Sequence, residues 1–552
     1  MNSNEFDYII IGGGLAGCTL AARLREYNPV LKVLLIEAGS DVSKHPLVSA
    51  PLACFASHGS DLDYNYHTTP QEHLDGRSLY QAAGKALSGG TAINYGTWTR
   101  GSAVDYDRWA QLVGDARWSY AGLLPYFRKT ETYFRKEVNM KEHGTSGPIH
   151  TASVTSSSKN RVYPLREPLL KAWNEIGVKK IEDANNGRPL GVAELVENWQ
   201  DGQRQLASQA YNLSGVQILT ESTVKKVLFA EHREGPIAIG VELLDGSSLK
   251  ATKEVIISAG AYRTPQILML SGIGPARQLH HYNIPVIVEN SQVGENFHDH
   301  LLLAIPFKLK NPQHGLSMGT PLWSDPSYQM GLPCDWIVTD RVSDEDIKKA
   351  LAKEAFPPEV THHMLQPDSC HTETLIVYAP AGAPITNHHV PMDGTHIGAI
   401  VTALATESRG KLTLKSSDPR ESPEIDPNYY ATELDRIALR TGIRKVLNLF
   451  YGTDDGKEMV EGENPPPGLP PLKLNASDEE IDVRVRSQGR TFFHAAGTSS
   501  MGTVVDTDLK VKGVQKLRVV DASVLPIPIS AHYQVCVYAI AELAADIIQR
   551  DS

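Results

Sequence analysis

Phe6-Asp7-Tyr8-Ile9-Ile10-Ile11-Gly12-Gly13-Gly14-Leu15-Ala16-Gly17 decides how this chain begins to fold. Phe6 to Ile11 is a short apolar strand. Gly12, Gly14 and Gly17 then spell G-x-G-x-x-G, and Leu15 to Tyr27 continues with leucines at helical spacing. Lys32 to Ile36 is a second apolar strand, ending at Glu37, twenty residues after Gly17. Gly12 permits a sharp turn, Gly14 removes the side chain that would block a pyrophosphate, and Gly17 lets helix and strand pack closely. The helix N-terminus offers backbone N–H groups and a positive dipole end to phosphates. Glu37 can accept hydrogen bonds from an adenosine ribose, which disfavours a 2′-phosphate and so disfavours NADP. Strand, glycines, helix, strand and acid in that order predict a Rossmann-type dinucleotide unit within an α/β fold.

At 552 residues the chain exceeds what one simple core serves, so two or more domains are expected. A net charge of −11 argues against a nucleic-acid or anionic-membrane partner. The five cysteines form no C-x-x-C and no evident disulfide framework, which fits a reduced compartment. The strand at Phe6 leaves no room ahead of it for a signal peptide, and Val535 to Ile548, the best candidate span, carries Glu542 and Asp546. The expected location is cytoplasmic.

Further along, His143 to Pro148 reads as a boundary loop, and Leu169 to Ile176 as a short helix. Val216 to Leu228 and Ala238 to Leu244 alternate as hairpin-like strands, and Val255 to Ser258 is a buried strand. Thr264 to Leu270 reads as a helix, and Ser477 with Glu480 forms a capping box that starts another. Residues 301–400 are rich in proline and histidine and irregular, as a substrate-facing sheet with long loops would be. Leu517 to Val520 is a late strand, followed by a long helix from about Gln534.

Further stretches resemble the glucose-methanol-choline (GMC) oxidoreductases, a family of FAD enzymes. Gly84-Lys85-Ala86-Leu87-Ser88-Gly89-Gly90-Thr91-Ala92-Ile93-Asn94 resembles its first signature, and Gly260 to Gly274 its second. Val293-Gly294-Glu295-Asn296-Phe297-His298-Asp299-His300 resembles V-G-x-N-L-x-D-H. Ser408-Arg409-Gly410 to Pro419 is similar to another family stretch. His494 to Thr498, with Val519 to His532, resembles the C-terminal catalytic region. The likeness runs from end to end and is weakest over 301–400. It implies an FAD-binding domain from 1–150, 205–300 and 485–552. It also implies a substrate-binding domain from 151–204 and 301–484, built on an antiparallel sheet with helices.

The resemblance also implies roles for residues. FAD's ADP half would lie on Gly12, Gly14, Gly17 and Glu37, with Val224 and Ala259 near the adenine. Gly89, Thr91 and Asn94 would line the flavin, and Asp521 and Ala522 would stand near the ribityl and pyrophosphate. Ile93 occupies a position that is histidine in some members with covalent flavin, so FAD is expected to be non-covalent. Thr91-Ala92 replaces the usual Ser-Ser, and Ser499 stands where many members have cysteine. His494 would be the general base in oxidising a small-molecule alcohol, and His532 would hydrogen-bond the same oxygen.

His298 and His300 flank Asp299, where the motif favours a structural role over a metal. No zinc spacing is present and no metal is expected. Electrons would pass to oxygen or another acceptor. The alternative is non-redox chemistry, cyclisation or lyase-type, on the same FAD-bound scaffold. Tyr64-Asn65-Tyr66 would stand at the pocket, and Trp323, Tyr328 and Trp336 suggest either an aromatic-lined pocket or core packing.

Overall fold

Strand Glu5–Ile11 lies inside a seven-stranded sheet in the computed structural model, which describes residues 4–135, 139–380 and 388–551. Val33–Ile36 pairs parallel on one side of it and Ser248–Ile257 on the other. Gln217–Leu219 and Leu517–Val519 extend the parallel run at its two ends. Ile237–Leu243 pairs antiparallel with the start of Ser248–Ile257, and Val224–Ala230 pairs antiparallel with Ile237–Leu243. Parallel strands covered on both faces read as unbroken apolar runs. Ile9 to Ile11, Val33 to Ile36 and Val255 to Ile257 are accordingly all buried. Helices Leu15–Tyr27 and Gln534–Asp551 pack together, and Arg23 reaches the buried Glu542 at 2.8 Å.

The stretch Val216 to Leu228, expected as one strand, is two. Glu221 takes a left-handed φ of 53° and breaks the run, so the first part joins Val33–Ile36 and the second turns away into the antiparallel extension. The helix expected at Thr264 begins four residues earlier, as Gly260–Leu270.

The second seven-stranded sheet is antiparallel, in the order Val460–Glu463, Leu301–Leu309, His396–Ala403, Thr372–Val377, Trp336–Asp340, Gly191–Glu194. Arg490–Thr491 pairs antiparallel with the start of Leu301–Leu309. Four of these strands come from 301–400, so that region is more regular than its composition suggests. Helix Glu433–Gly452 lies on this sheet, approaching it most closely at Gly442, where a Cβ would sit 2.5 Å from Val401 Cγ1. Trp323 stacks on Tyr163 at 5.1 Å and touches Tyr328, while Arg166 covers Trp336 at 4.3 Å. These aromatics fill the second core, which settles the choice for packing. Among the described residues, no helix is long and apolar enough to cross a membrane.

Gly17 is the tightest point of the first helix. A Cβ there would overlap the carbonyl oxygen of Gly12 and sit 3.3 Å from Leu35 Cδ1. Alanine is the better helix former by about 1 kcal/mol, whereas overpacking costs about 1–3 kcal/mol. Gly17→Ala should therefore lower the urea midpoint; an unchanged or raised midpoint would show that the approach is not tight.

Candidate active site

A cavity of about 710 Å³ lies between the C-terminal ends of the parallel strands and the inner face of the antiparallel sheet. Gly12, Gly14, Glu37, Gly89, Thr91, Asn94, Val224, Ala259, Asp521, Ala522, His494 and His532 all line it. Gly17 does not; it supports the turn from behind. Tyr64 and Tyr66 also line the cavity, whereas Trp323, Tyr328 and Trp336 do not.

The nucleotide end is a set of backbone constraints. Gly12 sits at φ 102°, and any Cβ there would overlap the Ser258 carbonyl. A Cβ on Gly14 would meet nothing nearer than Gly89 Cα at 3.9 Å, so the backbone is open to an approaching phosphate. Helix Leu15–Tyr27 has no side-chain cap, and its first N–H groups therefore remain available at the cavity. The flavin-signature loop docks on this turn, with Ser88 N–H donating to the Gly13 carbonyl at 2.7 Å. Ser258 Oγ, beside the cavity, is buried without a protein partner. An open glycine turn, uncapped helix dipole and waiting hydroxyl fit the pyrophosphate of FAD.

Glu37 accepts Gly13 N–H and Gly39 N–H, both at 2.8 Å. Each carboxylate oxygen keeps a further lone pair for a ribose hydroxyl. Burial pushes its pKa up to about 7, against the three backbone N–H groups that favour the ionised form. Asp521 is more fully used by the protein than the sequence suggests. It accepts N–H from Gly260 and Ser523 and the Thr264 hydroxyl, capping helix Gly260–Leu270. Asn94 accepts Arg204 Nη1 at 2.9 Å and donates to Gln534 Oε1 at 3.3 Å.

At the other end His494 and His532 meet edge to face, with ring centroids 4.9 Å apart. Phe492 borders both, and Tyr533 stacks on His494. His494 is delivered by the turn after Arg490–Thr491, where Phe493 is held at φ 64°. A bulky residue there costs about 1–3 kcal/mol. Thr491 Oγ1 accepts the Phe493 N–H at 2.6 Å, and Asp299 Oδ1 accepts the His494 N–H at 2.8 Å. Asp299 also accepts the His300 N–H and the hydroxyls of Thr491 and Tyr429. Its burial outweighs those four donors and pushes its pKa up to about 6.

Three partners escaped the sequence. His300 Nδ1 lies 2.9 Å from His494 Nδ1, so this histidine of the Asp-His motif touches the candidate base. Glu373 Oε1 accepts His532 Nε2 at 2.8 Å, from a strand that no motif marks. Asp299 holds the backbone on which His494 stands. Burial, then His532 and His300, hold the His494 pKa well below the ordinary histidine range.

Removing the Asp299 carboxylate leaves two N–H groups and two hydroxyls without their acceptor. Each buried orphan costs about 1–3 kcal/mol. Asp299→Ala should lose at least about 3 kcal/mol of stability by denaturant unfolding; a loss under about 1 kcal/mol would remove Asp299 as the anchor.

Comparisons with known proteins identify the family and the fold. GMC oxidoreductase family models match residues 6–302 and 406–541. The chain is 42% identical over 546 residues to the GMC-type oxidoreductase acuG of Aspergillus aculeatus, covering 99% of each chain. It is 32% identical over 571 residues to an oxygen-dependent choline dehydrogenase of Pseudomonas fluorescens, covering 99% of this chain and 94% of that one. Its fold superposes on a formate oxidase variant from Aspergillus oryzae with TM-score 0.87 and 31% identity, covering 100% and 99% of the two chains. Matched by the family models over most of its length and by a 42% identical relative from end to end, the chain belongs to the GMC oxidoreductase family and is an FAD-dependent oxidoreductase.

Proposed function

We propose that this enzyme oxidises an alcohol to its carbonyl, with His494 as the base and FAD held non-covalently. The observation that carries the reading is the pair His494 and His532, close enough to share one substrate oxygen and facing the cavity that the dinucleotide turn also lines. When bound, FAD supplies a hydride acceptor at flavin N5. Gly12, Gly14, Glu37, Val224 and Ala259 would hold its ADP half, Asp521 and Ala522 its middle, and Gly89, Thr91 and Asn94 its ring. Ile93 lines the cavity where a flavin-linked histidine would stand, which supports non-covalent binding. In this reading 1–150, 205–300 and 485–552 form the cofactor domain, and 151–204 with 301–484 the substrate domain.

The protein's own task is to take the hydroxyl proton while holding the oxygen in place. His494 suits the first role, because its low pKa keeps it neutral near pH 7. His532 suits the second, because its Nε2 is tied to Glu373 and the ring is fixed at the cavity wall. Leu375 and Val377 project from the same face as Glu373, and with Tyr95, Ile400 and Phe492 they give that wall an apolar character; Arg490 also lines the cavity. The substrate space therefore suits a small alcohol with an apolar or aromatic body. All five cysteines are free and buried, which supports a cytoplasmic location, and a biosynthetic metabolite completes this reading as the substrate. Oxygen or another acceptor would take the electrons.

His494→Ala is expected to lower kcat by about 10²–10⁴-fold, while acid precipitation releases as much FAD as from the unsubstituted protein. Unchanged turnover would end the assignment of the base, and FAD retained in the precipitate would end non-covalent binding. The depressed pKa also sets a pH profile. His494 faces His300, His532, Tyr533 and Phe492, and protonating it removes the base. The acid limb of kcat/KM should therefore lie below the ordinary histidine value of about 6.5. A limb at or above that value would contradict it.

A further inference from the structure

We propose that His300 sets the tautomer of His494, through a chain of hydrogen bonds anchored on a backbone carbonyl, and so presents His494 Nε2 to the substrate as a bare lone pair. The inference rests on His494 being the base. The chain has a direction because a carbonyl can only accept. His298 Nε2 lies 3.2 Å from the Leu525 carbonyl, so Nε2 carries the hydrogen. His298 is fully buried and held neutral, mainly by that burial, so its Nδ1 is an acceptor. The Tyr533 hydroxyl stands 3.5 Å from this Nδ1 and 3.4 Å from His300 Nε2. It donates to the first and accepts from the second.

His300 Nε2 therefore carries a hydrogen, because the Tyr533 hydroxyl has given its own to His298 and can only accept from His300. Burial pushes the His300 pKa down to about 3, so a single hydrogen is present. Its Nδ1 is then a lone pair, 2.9 Å from His494 Nδ1. Two lone pairs would repel, so the hydrogen between them belongs to His494 Nδ1. A neutral imidazole carries one hydrogen, and His494 Nε2 is left bare. Among the described residues, no group hydrogen-bonds Nε2. The reverse polarity would draw the Tyr533 hydrogen to His300 Nε2 and leave the His298 Nδ1 lone pair facing the Tyr533 oxygen. His298, Tyr533 and His300 are positioning residues in this account, since they act through His494.

Neutron diffraction of the FAD-loaded enzyme in D₂O reads the tautomer directly. The inference expects a deuteron on His494 Nδ1 and none on Nε2; a deuteron on Nε2 overturns it. Two variants of similar size add a functional readout. His300→Asn places an amide oxygen near the position of Nδ1 and should keep kcat within about tenfold, whereas His300→Leu should lose about 10²-fold or more. Both variants should keep their FAD content. Equal losses in the two would overturn the inference, since a purely structural role treats them alike. A deuteron on Nδ1 together with an active His494→Ala enzyme would sink the base and leave the tautomer standing.

Discussion

The carboxylate of Asp299 is buried where the strand Leu301–Leu309 begins, and the histidine end of the cavity hangs from it. One oxygen receives the backbone N–H of His300 and of His494; the other receives Thr491 and Tyr429. Two segments almost two hundred residues apart are thereby pinned to one atom. The pinning brings the rings of His300 and His494 into contact, and it holds Phe493 in a backbone conformation it would not adopt alone. The protein spends folding energy here on a loop that must not move, as preorganised sites do.

The two sheets divide the work by geometry. The parallel sheet ends in a glycine turn and a bare helix N-terminus, which favours anions through fixed dipoles. The antiparallel sheet supplies a wall of alternating side chains, and Glu373, Leu375 and Val377 share one face of one strand. A single strand thus supplies both the carboxylate that steadies His532 and the apolar surface beside it. The loop Gly84 to Asn94 is pinned to the parallel-sheet side of the cavity through Ser88 on Gly13 and Asn94 on Gln534.

Local pattern carried the dinucleotide turn, because strand, glycines, helix and acid are neighbours in sequence and each follows from local sterics. His494 and His532 were legible through family resemblance alone, since an isolated histidine has no periodicity to announce it. The motif around His300 points to a structural role, and its contact with His494 stays hidden because that partner lies far along the chain. Glu373 lay in a stretch that looked irregular, since the strands around it are paired by long-range contacts and interrupted by loops. Trp323 and Trp336 show the same limit: their size announces burial, and only the fold tells which cavity or core they fill. The break at Glu221 was hidden in an alternating run, where no glycine or proline marked the turn.

The central claim is that an alcohol reduces the flavin in this cavity. The most direct measurement is the visible spectrum of the purified holoenzyme, titrated anaerobically with a panel of apolar and aromatic alcohols. The account predicts that at least one of them bleaches the flavin bands and yields its carbonyl in equal amount. Turnover of a substrate while the flavin stays oxidised would contradict it and place the chemistry outside redox transfer.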